Sequence, residues 1–241
     1  MIIKESQNPV NELTRLASID KATQLSHFFK SAKGEYGEGD QFLGITVPIQ
    51  RSIAKRWIHI DWNSLTQMIQ SPYHEIRLTT LLILIEKYQH KQEPERCIAF
   101  YLNHIKHVNN WDLVDLSCYK LLGHWLQDKE RTILHQLASS NNLWQQRIAV
   151  VSCMAFIRNN DFSDFLVISK ILLTHPHDLI HKAIGWLLRE MGKRDKTLLI
   201  SFLEQHHNHM PRTMVRYAIE RLPDEERAIY IKQKKNKNRN I

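Results

Sequence analysis

Five residues, Arg77, Asp112, Arg147, Lys182 and Arg216, follow one another at separations of 35, 35, 35 and 34 residues. Each lies in an apolar-rich segment of helical character: HEIRLTTLLIL, NWDLVDLSCYKLL, WQQRIAVVSCMAF, LIHKAIGWLLREM and TMVRYAIERL. A period of this size predicts stacked repeats, in which equivalent positions share one face of the array. It also exposes an exception. Four repeats place a basic residue in register, whereas the second places Asp112 there, flanked by Trp111 and by Asp115 one turn on. The second repeat is therefore where function is sought.

The rest of the chain agrees with a helical array. Seven Gly and seven Pro in 241 residues are few, and 43% hydrophobic residues supply a sizeable core. From Asp61 onward, apolar segments alternate with short breaks at Ser71-Pro72, Asn109-Asn110, Asn159–Asp161, Gly192–Asp195 and Pro223. Asp61, Asn110 and Asp161 are expected N-caps. IRLTTLLILIEKY and RIAVVSCMAFIR are apolar nearly all round and predict inner helices. ERCIAFYLNHI and DFSDFLVISKIL are amphipathic and predict outer ones. Two helices per period give an all-α fold, an α-solenoid of short HEAT-like repeats curved around a concave basic face. Ankyrin and tetratricopeptide signatures are absent. The expected layout is a single domain over 1–231, with a helical cap and glycine loop over 1–60, repeats over 61–231, and a basic disordered tail over 232–241. That tail is expected either to add phosphate contacts or only to aid solubility.

Gly34, Gly37, Gly39 and Gly44, four of the seven glycines, fall in GEYGEGDQFLGITVP. The segment lacks the Walker pattern, and Glu35, Glu38 and Asp40 would repel phosphate, so it is read as a structural loop closed by Pro48 at a helix start. Scattered Cys97, Cys118 and Cys153 suggest reduced thiols in cores. No segment has the length of a membrane span, and MIIKESQNPVNEL has no secretory core, so a cytoplasmic protein is expected. Net charge is +8, which makes nucleic acid a candidate partner without excluding others. The fourteen histidines show no metal-ligand spacing and are read as surface or capping residues. No metal or cofactor is called for.

Counted from the register residue, Trp111 stands at −1, Asp115 at +3, Arg147 at 0 and Trp186 at +4 of their repeats. At about 100° per residue these fall within a sector of roughly 140°. Stacked inner helices would then present two indoles, a carboxylate and a guanidinium to one surface, with Lys182 and Arg216 extending the positive charge. Such a set can hold a sugar, grip phosphates and stabilise a developing cation, as in glycosidic cleavage. A tryptophan on such a helix, taken alone, is usually core, as Trp57, Trp62, Trp125 and Trp144 are expected to be. Asp115 and Arg147 are also open to reading as two halves of an ion pair.

These residues resemble the AlkD-like DNA alkylation repair proteins, built of HEAT-like repeats. The likeness runs over nearly the whole chain and is carried by FFKSAKGEYGEGDQFLGITVP, NNWDLVDLS, WQQRIAVV and HKAIGWLLREMGKRD. The resemblance implies a monomeric DNA glycosylase that acts on duplex DNA, removing cationic N3- and N7-alkylated purines without metal, cofactor or base flipping. By it, Trp111 and Trp186 pack on the lesion's deoxyribose, and Asp115 stabilises the sugar cation and positions water. Arg147 holds the backbone. Lys182, Arg216, Arg189, Arg212, Phe28 and Phe29 are the expected DNA contacts. The family has a tyrosine where this chain offers Phe28 or Phe29, so that contact loses a hydroxyl. Some relatives bind DNA without excising a base. A non-catalytic module for damaged or branched DNA and a protein-binding scaffold are therefore the alternatives.

Overall fold

The computed structural model describes residues 8–232. The expected basic tail lies, from residue 233 on, outside the described residues. The described residues are helical apart from loops and one isolated backbone bridge between Gln41 and Tyr73. They divide into two compact units after Leu121, inside a widened π-helical turn at Tyr119–Gly123.

The first unit contains α1 (Pro9–Arg15), α2 (Ile19–Phe28), α3 (Val47–Arg56), α4 (Trp62–Ile69), α5 (His74–Gln89), α6 (Pro94–Asn103) and α7 (Trp111–Ser117). Its core is α5, against which α3, α4, α6 and α7 pack. Ile76 through Ile85 are buried without a break, as expected of a helix apolar on all sides. By contrast, α6 buries one face through Cys97, Ile98, Phe100 and Tyr101. The second unit contains α8 (Thr132–Ala138), α9 (Leu143–Ser152), α10 (Met154–Ile157), α11 (Ser163–Ile171), α12 (Asp178–Gly192), α13 (Lys196–His206), α14 (Arg212–Ala218) and α15 (Asp224–Lys232). Here α12 is central, contacting α9, α10, α13 and α14. Gly185 makes the α12–α14 packing close, since a Cβ there would lie 2.6 Å from the Met214 carbonyl oxygen. The register residues fall on α5, α7, α9, α12 and α14, one per repeat, and the fold is the all-α array of helical repeats the period predicts.

Local signals hold with small shifts. Asp61 caps α4 by accepting from the Ser64 N–H at 2.9 Å. Asp161 accepts from Ser163 N–H, but α11 starts at Ser163, two residues after the expected cap. Pro48 is the second residue of α3 rather than the first. Trp57, Trp62, Trp125 and Trp144 are half-buried and not core. Their positions show why for two of them: the Arg96 guanidinium lies 4.7 Å from the Trp62 ring and the Lys129 ammonium 4.1 Å from that of Trp125. These indoles face solvent under a cation. All three cysteines are buried. Burial pushes the Cys97 thiol up to about 11.

The glycine-rich segment is a structural loop, and one carboxylate holds it. Glu75, on α5 and buried, accepts the N–H groups of Leu43, Gly44 and Ile45 at 2.9, 2.8 and 3.2 Å. Gly44 has φ +81, and a Cβ on it would lie 2.2 Å from the Ser18 carbonyl oxygen, so only glycine lets the start of α2 rest on the loop. Replacing Glu75 by Gln keeps the shape but turns one acceptor into a donor facing buried N–H groups. Glu75→Gln should cost about 2–4 kcal/mol in urea unfolding, and a loss below about 0.5 kcal/mol would show that the loop is held otherwise.

Candidate functional site

Helix α7 carries the exception in the register. Asn110 ends the preceding loop in an extended conformation, and its side-chain oxygen accepts from Trp111 N–H at 2.8 Å. Asp112, Leu113 and Val114 then face the core, while Trp111 and Asp115 are half-exposed. One helical turn separates those two, so an indole and a carboxylate share the outer face of α7. Asp115 lies near the buried Tyr101. Burial chiefly, and with it the charges of Cys118 and Asp115, raises the Tyr101 phenol well above its usual pKa.

Asp112 has a different task. Its Oδ2 lies 2.8 Å from His74 Nε2, and its Oδ1 accepts from its own helix at Leu113 N–H. His74 Nδ1 faces Asp40 Oδ2 at 3.0 Å, and the Arg77 guanidinium donates to Asp40 Oδ1 at 2.7 Å. Arg77 also donates to the carbonyls of Ser71 and Pro72. Asp40 further accepts from Asn109 and Asn110 at 3.2 and 3.5 Å. Two acids and two bases are thus buried together. Two corrections follow. Arg77 belongs to this cluster and not to a basic surface, and His74 is neither a surface nor a capping histidine. Asp112 departs from the basic pattern because it answers His74.

The cluster sets the place of Trp111. Asp40 holds the two asparagines that lead into α7. Phe29 stacks on His74 at 4.7 Å between ring centres and on Trp111 at 5.4 Å. Phe28 meets Trp111 edge-on at 5.9 Å. Phe28 is 61% exposed, whereas Phe29 is 7% exposed and forms part of the support under the indole. Of the two aromatics expected to contact DNA, only Phe28 has the surface to do so.

In the second unit, the buried Arg147 donates from its guanidinium to the Leu179 carbonyl, which ties α9 to the first turn of α12. Lys182 pairs with Asp178 at 2.7 Å, and Trp186 is half-exposed one turn further on. His177 caps α12 by accepting from Leu179 N–H. Its pKa is lowered chiefly by burial; the Asp178 carboxylate beside it acts in the opposite direction, and the charges of His181, Arg147 and Lys182 add to the lowering. Arg212 and Arg216, one turn apart on α14, are exposed and border a pocket of about 210 Å³ with His207 and Tyr230. Arg189 differs: its guanidinium is ion-paired with Glu220 and lies 3.7 Å from Glu190. Its charge is neutralised within the protein. Among the described residues, no group of three or more His, Cys, Asp or Glu is arranged to hold a metal ion, and no helix is long and apolar enough to cross a membrane.

The signs of the cluster's titrations can be tested. Burial would lower the pKa of His74, but the charges and hydrogen bonds of Asp112 and Asp40 raise it to about 9. A raised value stabilises the fold fully below the unfolded value of about 6.5, and that stabilisation is lost as pH rises through 9. Burial works against ionisation of Asp40 as well, yet His74 and Arg77 hold its pKa below the usual value. Its contribution is lost as pH falls through that depressed value. Unfolding free energy should therefore decline between pH 6.5 and 9 at up to about 1.4 kcal/mol per pH unit. His74→Gln should flatten that limb, and an unchanged slope in the variant would show that His74 is not its source.

The family of DNA alkylation repair enzymes matches this chain over residues 10–222. Among solved structures, one described as a predicted DNA alkylation repair enzyme from Enterococcus faecalis aligns with a TM-score of 0.66 at 18% identity, covering 86% of this chain and 97% of that one. At that identity the likeness shows the shared fold. No curated protein matches. With the family match running through nearly every described helix, from α1 to α14, the chain belongs to the DNA alkylation repair enzyme family.

Proposed function

We propose that the protein is a DNA glycosylase that hydrolyses the N-glycosidic bond of cationic N3- and N7-alkylated purines in duplex DNA, without flipping the base. The observation that carries this reading is the outer face of α7. It presents Trp111 and Asp115 one turn apart, half-exposed, above a buried network that fixes their backbone. An alkylpurine already bears positive charge and leaves as a neutral base, so no general acid is needed. What remains is charge developing on the sugar, and a preorganised carboxylate is suited to that task. Asp115 stabilises the oxocarbenium-like sugar and orients water. Trp111 packs on deoxyribose, and the half-exposed Trp186 on α12 offers a second indole to DNA. Arg147 contributes its field from beneath the surface, and Lys182, Arg212 and Arg216 contact phosphates. The protein acts as a cytoplasmic, nucleoid-associated monomer that needs no cofactor.

A second reading, a non-catalytic module for damaged or branched DNA, is favoured by the exposed Arg212–Arg216 pair, which would bind phosphate whether or not Asp115 acts. Release of 7-methylguanine from methylated duplex DNA separates the two. Asp115→Asn should lower release by about 10²–10³-fold with duplex affinity little changed. Wild-type protein that releases no alkylated base would leave only the second reading.

The cation assignments have their own measurement. Replacing Arg212 and Arg216 together by Ala should reduce the slope of log affinity against log salt by about 2. Arg189→Ala should leave the slope as it was, because its guanidinium already faces Glu220. An equal change in both would refute the distinction drawn between these arginines.

A further inference from the structure

Helix α2 is fixed at its ends and unpacked between them. At its start, Ser18 N–H bonds the Leu43 carbonyl at 2.8 Å, and Gly44 lies against Ser18 and Ala22. At its end, Phe29 enters the aromatic stack under Trp111. No residue of α2 itself is buried. Beneath it lies a cavity of about 330 Å³, to which α2 contributes Lys21, Gln24, Leu25 and Phe28. The facing wall includes Ile45, Val47 and Leu78, and His74, Glu75 and Asp112 also border the space. The helix is an arch over a hollow, with the exposed Phe28 ring shared between the hollow and Trp111.

The chemistry of the lining restricts the occupant. Glu75 already accepts three backbone N–H groups, and Asp112 accepts from Leu113 N–H and pairs with His74. Gln50, which lines the same space, donates to the Ile45 carbonyl at 2.9 Å. At its buried wall a ligand therefore meets polar groups that are already satisfied. The ionised side chains, Lys21 and His74 against Glu75 and Asp112, cancel formally. An anion gains nothing there and would lose its hydration. A flat, uncharged ring gains apolar contact with Leu25, Val47 and Leu78 and a stacking partner in Phe28, while the exposed Lys21 and Gln24 can donate to its edge.

We infer that the cavity under α2 is a binding site for a free, uncharged purine base, the product released beside Trp111. The identity of that ligand rests on the proposed glycosylase reading; the binding itself is measured without DNA. Calorimetric titration of the whole protein with 3-methyladenine should give saturable one-to-one binding, with adenosine 5′-monophosphate at least about tenfold weaker because its phosphate is excluded. Leu25→Trp, which fills the cavity from α2, should weaken binding of the base by about tenfold or more. Should that variant fail to fold, Phe28→Ala decides instead, since Phe28 is exposed and its loss leaves the buried stack of Phe29 on Trp111 in place. Absence of saturable binding, equal binding of the nucleotide, or undiminished binding by a folded variant would each overturn the assignment. Base binding by a protein that releases no base would sink the glycosylase reading alone, and release without base binding would sink this one alone.

Discussion

The position of α7 depends on a buried balance of charge. Asp40 comes from the glycine-rich loop, His74 and Arg77 from α5, and Asp112 from α7, so four side chains from three segments close on one another. Removing any one would leave an uncompensated charge away from water, which is far more costly than the intact set is stabilising. In this arrangement the loop, α5 and α7 satisfy one another's buried charges. Trp111 and Asp115 inherit that definition because they share a helix with Asp112, and because Asp40 also grips the two asparagines that start it.

The second unit reaches comparable definition by a different route. Its central helix α12 is set by close approach at Gly185 and by a guanidinium from α9 bonded to a carbonyl in its first turn. The buried Arg147 guanidinium sits against helix α12, and burial lowers the pKa of His175 and His177 nearby. At that end of α12 Lys182 faces Asp178, and near its other end Arg189 faces Glu220. Where a cation is placed in this protein matters less than what faces it.

Much of this was legible in the sequence. The 35-residue period marks the repeats because each repeat must bury the same face, and that requirement recurs in every period. The period also marks Trp111 and Asp115 as one turn apart on a repeat helix, and both are half-exposed on α7. The role of Asp112 was not legible. Its partner His74 is 38 residues away and Asp40 lies in a loop outside the register, so no local pattern pairs them. The same holds for Arg77, which has the right spacing for a basic surface and the wrong burial. Phe28 and Phe29 are adjacent and identical, and only the direction in which α2 ends decides which one is wall and which is support. Lone tryptophans misled for a related reason: an indole under an arginine, as at Trp62, has the same sequence signature as one in a core.

The three buried cysteines have a consequence of another kind. Alkylation repair, the role of the family to which this chain belongs, is called for where electrophiles have damaged DNA. Thiolates are the most nucleophilic groups a chain offers to such reagents. Here every cysteine is enclosed, and burial holds the Cys97 thiol protonated well above neutral pH. The packing that builds the helical repeats thereby also gives the folded chain chemical endurance, and that protection lasts only as long as the fold does.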